Sequence, residues 1–146
     1  MTEFAVFQCP NCNEFINNSL TNCKFCNIAI DHQTALIMAT LQEKVNAACN
    51  HAGLTRNLAG TMILSFFMRY IPIIGLMFAI VFLITLVGTP IQLFLWQAKY
   101  SGIQTNDPDY VVAKRNILFS LIAWVIMFSI TAFLILANLV LSASRL

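Results

Sequence analysis

Two long segments without any ionisable side chain dominate the pattern of polar and apolar positions along the chain. No Asp, Glu, Lys, Arg or His occurs in residues 72–98 or in residues 116–144. A helix needs about 20 apolar residues to cross a bilayer. The pattern therefore predicts two membrane spans, which we place at residues 71–98 and 116–142.

The residues around the first span are predicted to mark its approach and its end. Arg69 stands three residues before Pro72, which suggests that residues 61–70 form an interfacial lead-in with the guanidinium reaching the headgroups. Gly88 and Pro90 predict a kink near the far end of the span.

The connection between the spans, residues 99–115, is short. Asn106 or Asp107 is suited to cap a helix that has Pro108 in its first turn. The second span leads to a short tail, residues 143–146. These elements predict a hairpin of two transmembrane helices with both chain termini on one side.

The chain before the spans has ordinary polarity and its own helical pattern. Apolar residues recur three and four positions apart from residue 38 to residue 52, after Asp31, a suitable N-cap. We predict an amphipathic helix over residues 32–52, a stop or bend at Gly53, and a helix-and-linker segment over residues 31–60.

Composition agrees with a membrane protein. The chain is 59% hydrophobic and 10% charged, whereas a soluble domain has roughly 45–50% and 25%. No basic stretch followed by an apolar segment opens the chain, so we expect no cleaved signal peptide.

Four cysteines in the N-terminal segment have metal-ligand spacing. They form the motif C-x2-C-x10-C-x2-C at Cys9, Cys12, Cys23 and Cys26. Two residues between cysteines allow one tight turn to present two thiolates, and a hairpin between the pairs would close a tetrahedral site. The sequence therefore predicts one metal ion bound by these four residues.

Residues 9–26, CPNCNEFINNSLTNCKFC, resemble a short rubredoxin-like zinc ribbon. The resemblance implies a β-hairpin scaffold over residues 1–30, which we call the head, with one structural Zn²⁺ per chain. It implies no reaction. Two disulfides, or iron in place of zinc, are the alternatives, but the unpaired Cys49 and the missing secretion signal favour zinc.

The sequence argues against catalysis and nucleic-acid binding. Four thiolates leave zinc without an open coordination position for water. Residues 1–61 contain one more acidic than basic residue, and a Zn(Cys)4 centre adds about −2, so a phosphate backbone would be repelled. The span interiors lack the ionisable groups of a proton or ion pathway and the histidines of a haem site. We predict a non-enzymatic protein with no small-molecule substrate.

Two further residues near the helix invite a second metal site. Cys49 and His51 are two positions apart, so they point to different faces of a helix. We predict that Cys49 is a small packing residue and that His51 belongs to the polar surface.

Sidedness is predicted from thiol chemistry. The predicted hairpin has three basic residues on each side, so the positive-inside rule does not decide its orientation. The terminal side has Arg56, Arg69 and Arg145, and the loop side has Lys99, Lys114 and Arg115. Reduced thiolates belong in a reducing compartment. We therefore expect both termini in the cytoplasm and the loop outside.

These features predict an accessory or adaptor subunit of a larger membrane complex. The head would dock other membrane protein subunits through the helix over residues 32–52 and through its phenylalanines, Phe4, Phe7, Phe15 and Phe25. A membrane-anchored zinc or redox sensor is the alternative, and a rubredoxin-like electron carrier is a weaker one. Aromatic residues in the spans leave contacts with lipid or pigment open.

Overall fold

The computed structural model describes residues 6–17 and 19–144 and is mainly helical. Its elements, named here in chain order, are β1 (Val6–Gln8), β2 (Phe15–Asn17), α1 (His32–Met68), α2 (Gly75–Tyr100) and α3 (Pro108–Ala143). The chain forms two compact units, an N-terminal unit (Met1–Ala47) and a C-terminal unit (Ala48–Leu146). The predicted combination of a small N-terminal hairpin with long helices is confirmed.

The hairpin of the N-terminal unit separates an inner face from an outer face. β1 and β2 are antiparallel, with Phe7 opposite Ile16. Because side chains alternate along a strand, this pair lies in the core while Val6 and Phe15 are exposed. The same core contains two of the cysteines and the first turns of α1.

Helix α1 begins at His32, as predicted, but the predicted stop at Gly53 is wrong. The helix continues to Met68, so most of residues 61–70 belongs to it. A glycine costs a helix only about 1 kcal/mol, and no proline follows Gly53 within the helix. Intrahelical hydrogen bonds and packing outweigh that cost.

Helices α2 and α3 are long and apolar enough to cross a membrane, as the pattern predicted. Their connection is shorter than expected because α3 already begins at Pro108. The predicted cap is confirmed: Asp107 Oδ1 accepts a hydrogen bond from the Asp109 backbone N–H at 2.8 Å. Proline at the first helical position loses no hydrogen bond there.

The turn between α1 and α2 is tight enough to require glycine. The backbone N–H of Gly75 donates to the carbonyl oxygen of Ile71 at 2.8 Å. A Cβ atom at Gly75 would overlap the carbonyl group of Arg69. The absent side chain therefore allows α2 to start directly beside the end of α1.

Within the C-terminal unit, the second half of α1 runs antiparallel to α2. The indole N–H of Trp96 donates to the Ala48 carbonyl oxygen at 2.9 Å, whereas the rings of Phe66 and Phe82 are 5.6 Å apart. Ala48 thus lies at the end of the unit that carries the α2–α3 connection, which we call the loop end.

Helices α2 and α3 are joined by a hydrogen bond at the helix proline. Pro90 has no N–H to donate to the carbonyl oxygen of Leu86, four residues earlier. Trp124 of α3 donates its indole N–H to that oxygen at 2.8 Å. The carbonyl freed by proline is therefore satisfied by the neighbouring helix.

Candidate metal centre

The first cysteine pair lies in a turn closed by backbone hydrogen bonds. The N–H of Cys9 donates to the Glu14 carbonyl at 2.9 Å, and the N–H of Asn13 donates to the Cys9 carbonyl at 2.9 Å. Asn13 adopts φ 58°, the left-handed region that asparagine tolerates better than most residues. This turn presents the sulfurs of Cys9 and Cys12 on one side.

The second pair repeats the same turn fourteen residues later. The N–H of Cys23 donates to the Ile28 carbonyl at 2.9 Å, and that of Asn27 donates to the Cys23 carbonyl at 2.8 Å. Asn27 has φ 60°, nearly the value of Asn13. The similar sequences CPNCNEFI and CKFCNIAI thus form two equivalent knuckles.

The two knuckles bring all four sulfurs together. The ligand atoms lie within 4.8 Å of one another, and Cys9–Cys26 and Cys12–Cys23 are each 3.7 Å apart between Sγ atoms. A tetrahedral ion with bonds of about 2.3 Å to sulfur places its ligands about 3.8 Å apart. The arrangement fits such an ion.

The same distances disagree with disulfide bonds. A disulfide needs about 2.05 Å between sulfurs, and all five cysteines are free thiols. Four sulfurs around one centre suit a closed S4 site for zinc or for iron.

The sulfur environment is part solvent-facing and part buried. Cys9 and Cys23 are fully buried, whereas Cys12 and Cys26 are half-buried. The pKa of Cys26 falls to about 6, because the Asn11 side chain and then the Ile28 backbone hydrogen-bond its sulfur. These donors favour a thiolate, which is the form that binds metal.

The pKa of Cys12 moves in the opposite direction, to about 12. A hydrogen bond from the Glu14 backbone lowers it, but desolvation and the sulfurs of Cys26, Cys9 and Cys23 raise it more. Several thiolates crowded together repel one another. A divalent cation in the centre would remove that repulsion.

The phenylalanines of the head divide between core and surface. Phe7 is fully buried, while Phe15 and Phe25 are 54% and 56% exposed. The ammonium group of Lys24 lies 4.9 Å from the Phe25 ring centre. Phe4, also predicted for docking, lies outside the described residues.

His51 is not the surface residue that the sequence predicted. It is half-buried, and its Nε2 lies 2.6 Å from Gln92 Oε1 of α2. Its ring meets that of Tyr100 edge-on at 5.8 Å. The partners are far away in sequence, so helical spacing carried no signal for them.

Cys49, two residues before His51 in the sequence, is half-buried. Its pKa is raised, first by burial and then by the charges of Asp109 and Asp107. Among the described residues, the metal-ligand cluster contains only the four cysteines of the knuckles.

Aromatic residues gather at the loop end of the C-terminal unit. The hydroxyl of Tyr110 donates to the Tyr100 carbonyl at 2.5 Å, and its ring stacks on Trp96 at 6.2 Å. Such side chains are typical of the membrane–water interface. If α2 and α3 cross a membrane, this end would lie at its surface.

No family model, no curated protein and no solved structure matches the chain.

Proposed function

We propose that the protein is a non-enzymatic adaptor of a membrane assembly, whose zinc-stapled head docks another membrane protein subunit. The observation that carries the proposal is the exposure of large apolar side chains on a head held together by a closed S4 site. Phe15 and Phe25 are more than half exposed although Phe7 fills the core. Zinc in such a site stabilises the head and leaves its surface available for contacts.

The exposed aromatic residues have the composition of a protein contact. Phenylalanine is enriched in the buried centres of interfaces, and a few aromatic residues usually supply most of the binding energy. Val6 and Ile28 add further exposed apolar surface to the head, with 54% and 40% exposure. The occupant we propose is a segment of a membrane protein that reaches the same compartment.

The test compares phenylalanine-to-alanine substitutions in the head with one in α2. The full-length chain is extracted in mild detergent as wild type, as Phe15→Ala/Phe25→Ala, and as Phe94→Ala, whose ring is 73% exposed on α2. A defined partner should copurify with wild type and Phe94→Ala and be lost from the double variant. Metal content should stay at one ion per chain in all three. A partner retained by the double variant would refute docking through the head.

The sensor alternative makes a different prediction for the same preparations. If zinc only stabilises the head, the four cysteines should retain it in the presence of a mild oxidant. In a sensor, the cysteines should release zinc and form disulfides. Iron in the purified protein would instead favour electron transfer.

The packing of α1 also leads us to propose a membrane topology. Because Ala48 lies beside Trp96, the chain enters the C-terminal unit at the loop end. If α2 and α3 span the bilayer, residues 53–70 lie within it as a third segment. The loop end then shares the compartment of the head, and the end of α3 faces the other side.

This proposal differs from the sequence-based placement of both termini on one side. That placement treated residues 31–60 as lying outside the membrane, which grouped Arg56 with the terminal side. In the new topology the loop end has four basic residues, Arg56, Lys99, Lys114 and Arg115. The opposite end has two, Arg69 and Arg145. The positive-inside rule then favours a cytoplasmic loop end, in agreement with the reducing compartment that the thiolates favour.

Single engineered cysteines in a Cys49→Ser background test this topology. A membrane-impermeant maleimide applied to intact cells should label Ser144→Cys but not Ser101→Cys, and both should react after permeabilisation. Labelling of Ser101→Cys but not of Ser144→Cys in intact cells would support the sequence-based placement, with the loop outside, and contradict a cytoplasmic loop end.

A further inference from the structure

The second half of α1 and Phe119 of α3 line an open groove that combines a cation with apolar side chains. It has a volume of about 520 Å³ and is lined by Arg56, Asn57, Gly60, Thr61, Leu64 and Phe119. Five of these residues belong to α1 and one to α3. We call it the α1–α3 groove.

Polarity changes along the groove in a fixed direction. Because α1 runs away from the loop end, Arg56 and Asn57 lie nearer the membrane surface and Leu64 lies about 12 Å deeper. Arg115 precedes Phe119 by one turn on the same face of α3 and lies about 6 Å nearer the loop end. The side chains of Arg56 and Arg115 therefore lie at the loop end of the groove, and its deeper part, the trough, is apolar.

Gly60 keeps the trough open. A Cβ atom there would meet nothing within 4 Å, so the glycine is not required by packing inside the protein. Without a side chain, this stretch of α1 leaves room for an extended apolar chain between the helices.

Arg56 is also without an acidic partner in the part of the chain that the structure describes. Its side chain is exposed, and a charge facing hydrocarbon is costly unless it reaches a headgroup or an opposite charge. Basic pockets between membrane helices are typical sites for anionic lipid headgroups.

From this arrangement we infer that the α1–α3 groove binds an anionic phospholipid. The phosphate would lie on Arg56 and Arg115, with Asn57 as a further donor, and one acyl chain would lie over Gly60 against Leu64 and Phe119. The inference requires the membrane placement proposed above but not the docking role of the head.

Binding is measured on the full-length, zinc-loaded protein in zwitterionic detergent by native mass spectrometry and thermal unfolding. Phosphatidylglycerol, phosphatidylcholine and inorganic phosphate are the three probes. Phosphatidylglycerol should remain bound and raise the unfolding temperature, phosphatidylcholine should bind at least about tenfold more weakly, and inorganic phosphate should have no effect. Both lipids carry the phosphate, but the cationic choline group of phosphatidylcholine is repelled by the two arginines, which lowers its affinity.

Variants separate the headgroup from the acyl chain. Arg56→Gln should weaken phosphatidylglycerol about tenfold and phosphatidylcholine by less, while Gly60→Leu should weaken both lipids by filling the trough. Lys99→Gln, at the same end but outside the lining, is the matched charge control and should bind as wild type. Unchanged zinc content and unfolding temperature without lipid verify folding.

Three results would overturn the inference. They are equal binding of both lipids to wild type, an equal loss in Arg56→Gln and Lys99→Gln, and protection by inorganic phosphate alone. Occupation of the groove by an acidic protein segment, detected as a crosslink from Arg56→Cys to another chain but not to lipid, would also overturn it.

Discussion

At the residue scale, two asparagines allow the metal knuckles to turn. Asn13 and Asn27 both have positive φ, and each donates its N–H to the carbonyl of the first cysteine in its pair. This conformation costs most residues with a Cβ roughly 1–2 kcal/mol, whereas glycine adopts it without that cost.

Substitutions at Asn27 should therefore rank by backbone freedom. We expect Asn27→Ala to weaken zinc retention by about 1 kcal/mol and Asn27→Gly to match or exceed wild type. Competition with a coloured zinc chelator measures the ranking. Equal retention by the alanine and glycine variants would show that the left-handed turn contributes nothing.

The Cys49 thiol should react slowly because its pKa is raised. A raised pKa means less thiolate at a given pH, so alkylation at pH 8 should be slower than for a free cysteine. Asp109→Asn removes one of the charges responsible and should speed the reaction. Peptide mapping after iodoacetamide treatment measures the rate, and an unchanged rate in Asp109→Asn would exclude the charge effect.

Fixed spacing explains which residues could be predicted. The four cysteines are informative because two tight turns define their geometry locally, within residues 9–26. His51 was misjudged because its partner, Gln92, comes from another helix 41 residues away. Nothing in the local pattern of α1 identifies a contact of that kind.

At the element scale, the presence or absence of one Cβ atom decides whether the junction between α1 and α2 can form. The start of α2 beside Arg69 leaves no space for a Cβ at Gly75, whereas a Cβ at Gly88 would meet nothing within 4 Å. The two glycines of α2 therefore form a matched pair.

Gly75→Ala should destabilise the C-terminal unit, since either the α1–α2 turn or the start of α2 must shift. Overpacking of this kind costs typically about 1–3 kcal/mol. Gly88→Ala should be neutral or stabilising because alanine favours helix by up to about 1 kcal/mol. Thermal unfolding in detergent compares them, and equal losses would contradict the close approach at Arg69.

The hydrogen bond from Trp124 to the Leu86 carbonyl should depend on Pro90. Trp124→Phe leaves that oxygen unpaired and should cost about 1 kcal/mol. In Pro90→Ala the new backbone N–H satisfies the oxygen, so the added Trp124→Phe change should cost less. A double-mutant cycle measures the coupling, and additive losses would mean that the indole does not replace the missing N–H.

Helix starts were easier to predict than helix ends. Asp107 and Pro108 indicate the start of α3, because the Asp107 side chain caps the helix and proline suits its first position. Both effects are local. Gly53 looked like an end because glycine disfavours helix, but the preference is small. Packing of the residues beyond it against α2 decided the outcome, and packing partners are invisible in a local pattern.

At the scale of the whole molecule, two units with different sources of stability share one chain. The N-terminal unit has a small core around the cysteines, and domains of this size usually need a metal or disulfides. The C-terminal unit has three long helical segments that pack on one another.

Metal removal should consequently unfold one unit and spare the other. With a strong chelator present, hydrogen exchange in residues 6–30 should rise to that of an unfolded chain, while α2 and α3 stay protected. Mass spectrometry of the exchanged peptides measures both regions together. Simultaneous loss of protection in α2 and α3 would contradict independent stability.

The two apolar segments and the metal motif were predicted because each is a property of one continuous stretch. The path of α1 was not predicted, because Arg56 and Asn57 make residues 53–70 more polar than the two apolar segments. The second half of α1 packs on α2 and α3 through Met62 and Phe66, and the sequence pattern does not show these contacts.

The short span of the knuckle motif has a consequence for biosynthesis. Synthesis at about 5–20 residues per second takes about 1–4 s to make residues 9–26. The first residue of α2 follows Cys26 by another 2–10 s or so at the same rate. The nascent chain therefore has all four cysteines before the first residue of α2 is made, so the head can fold while the rest of the protein is still being translated.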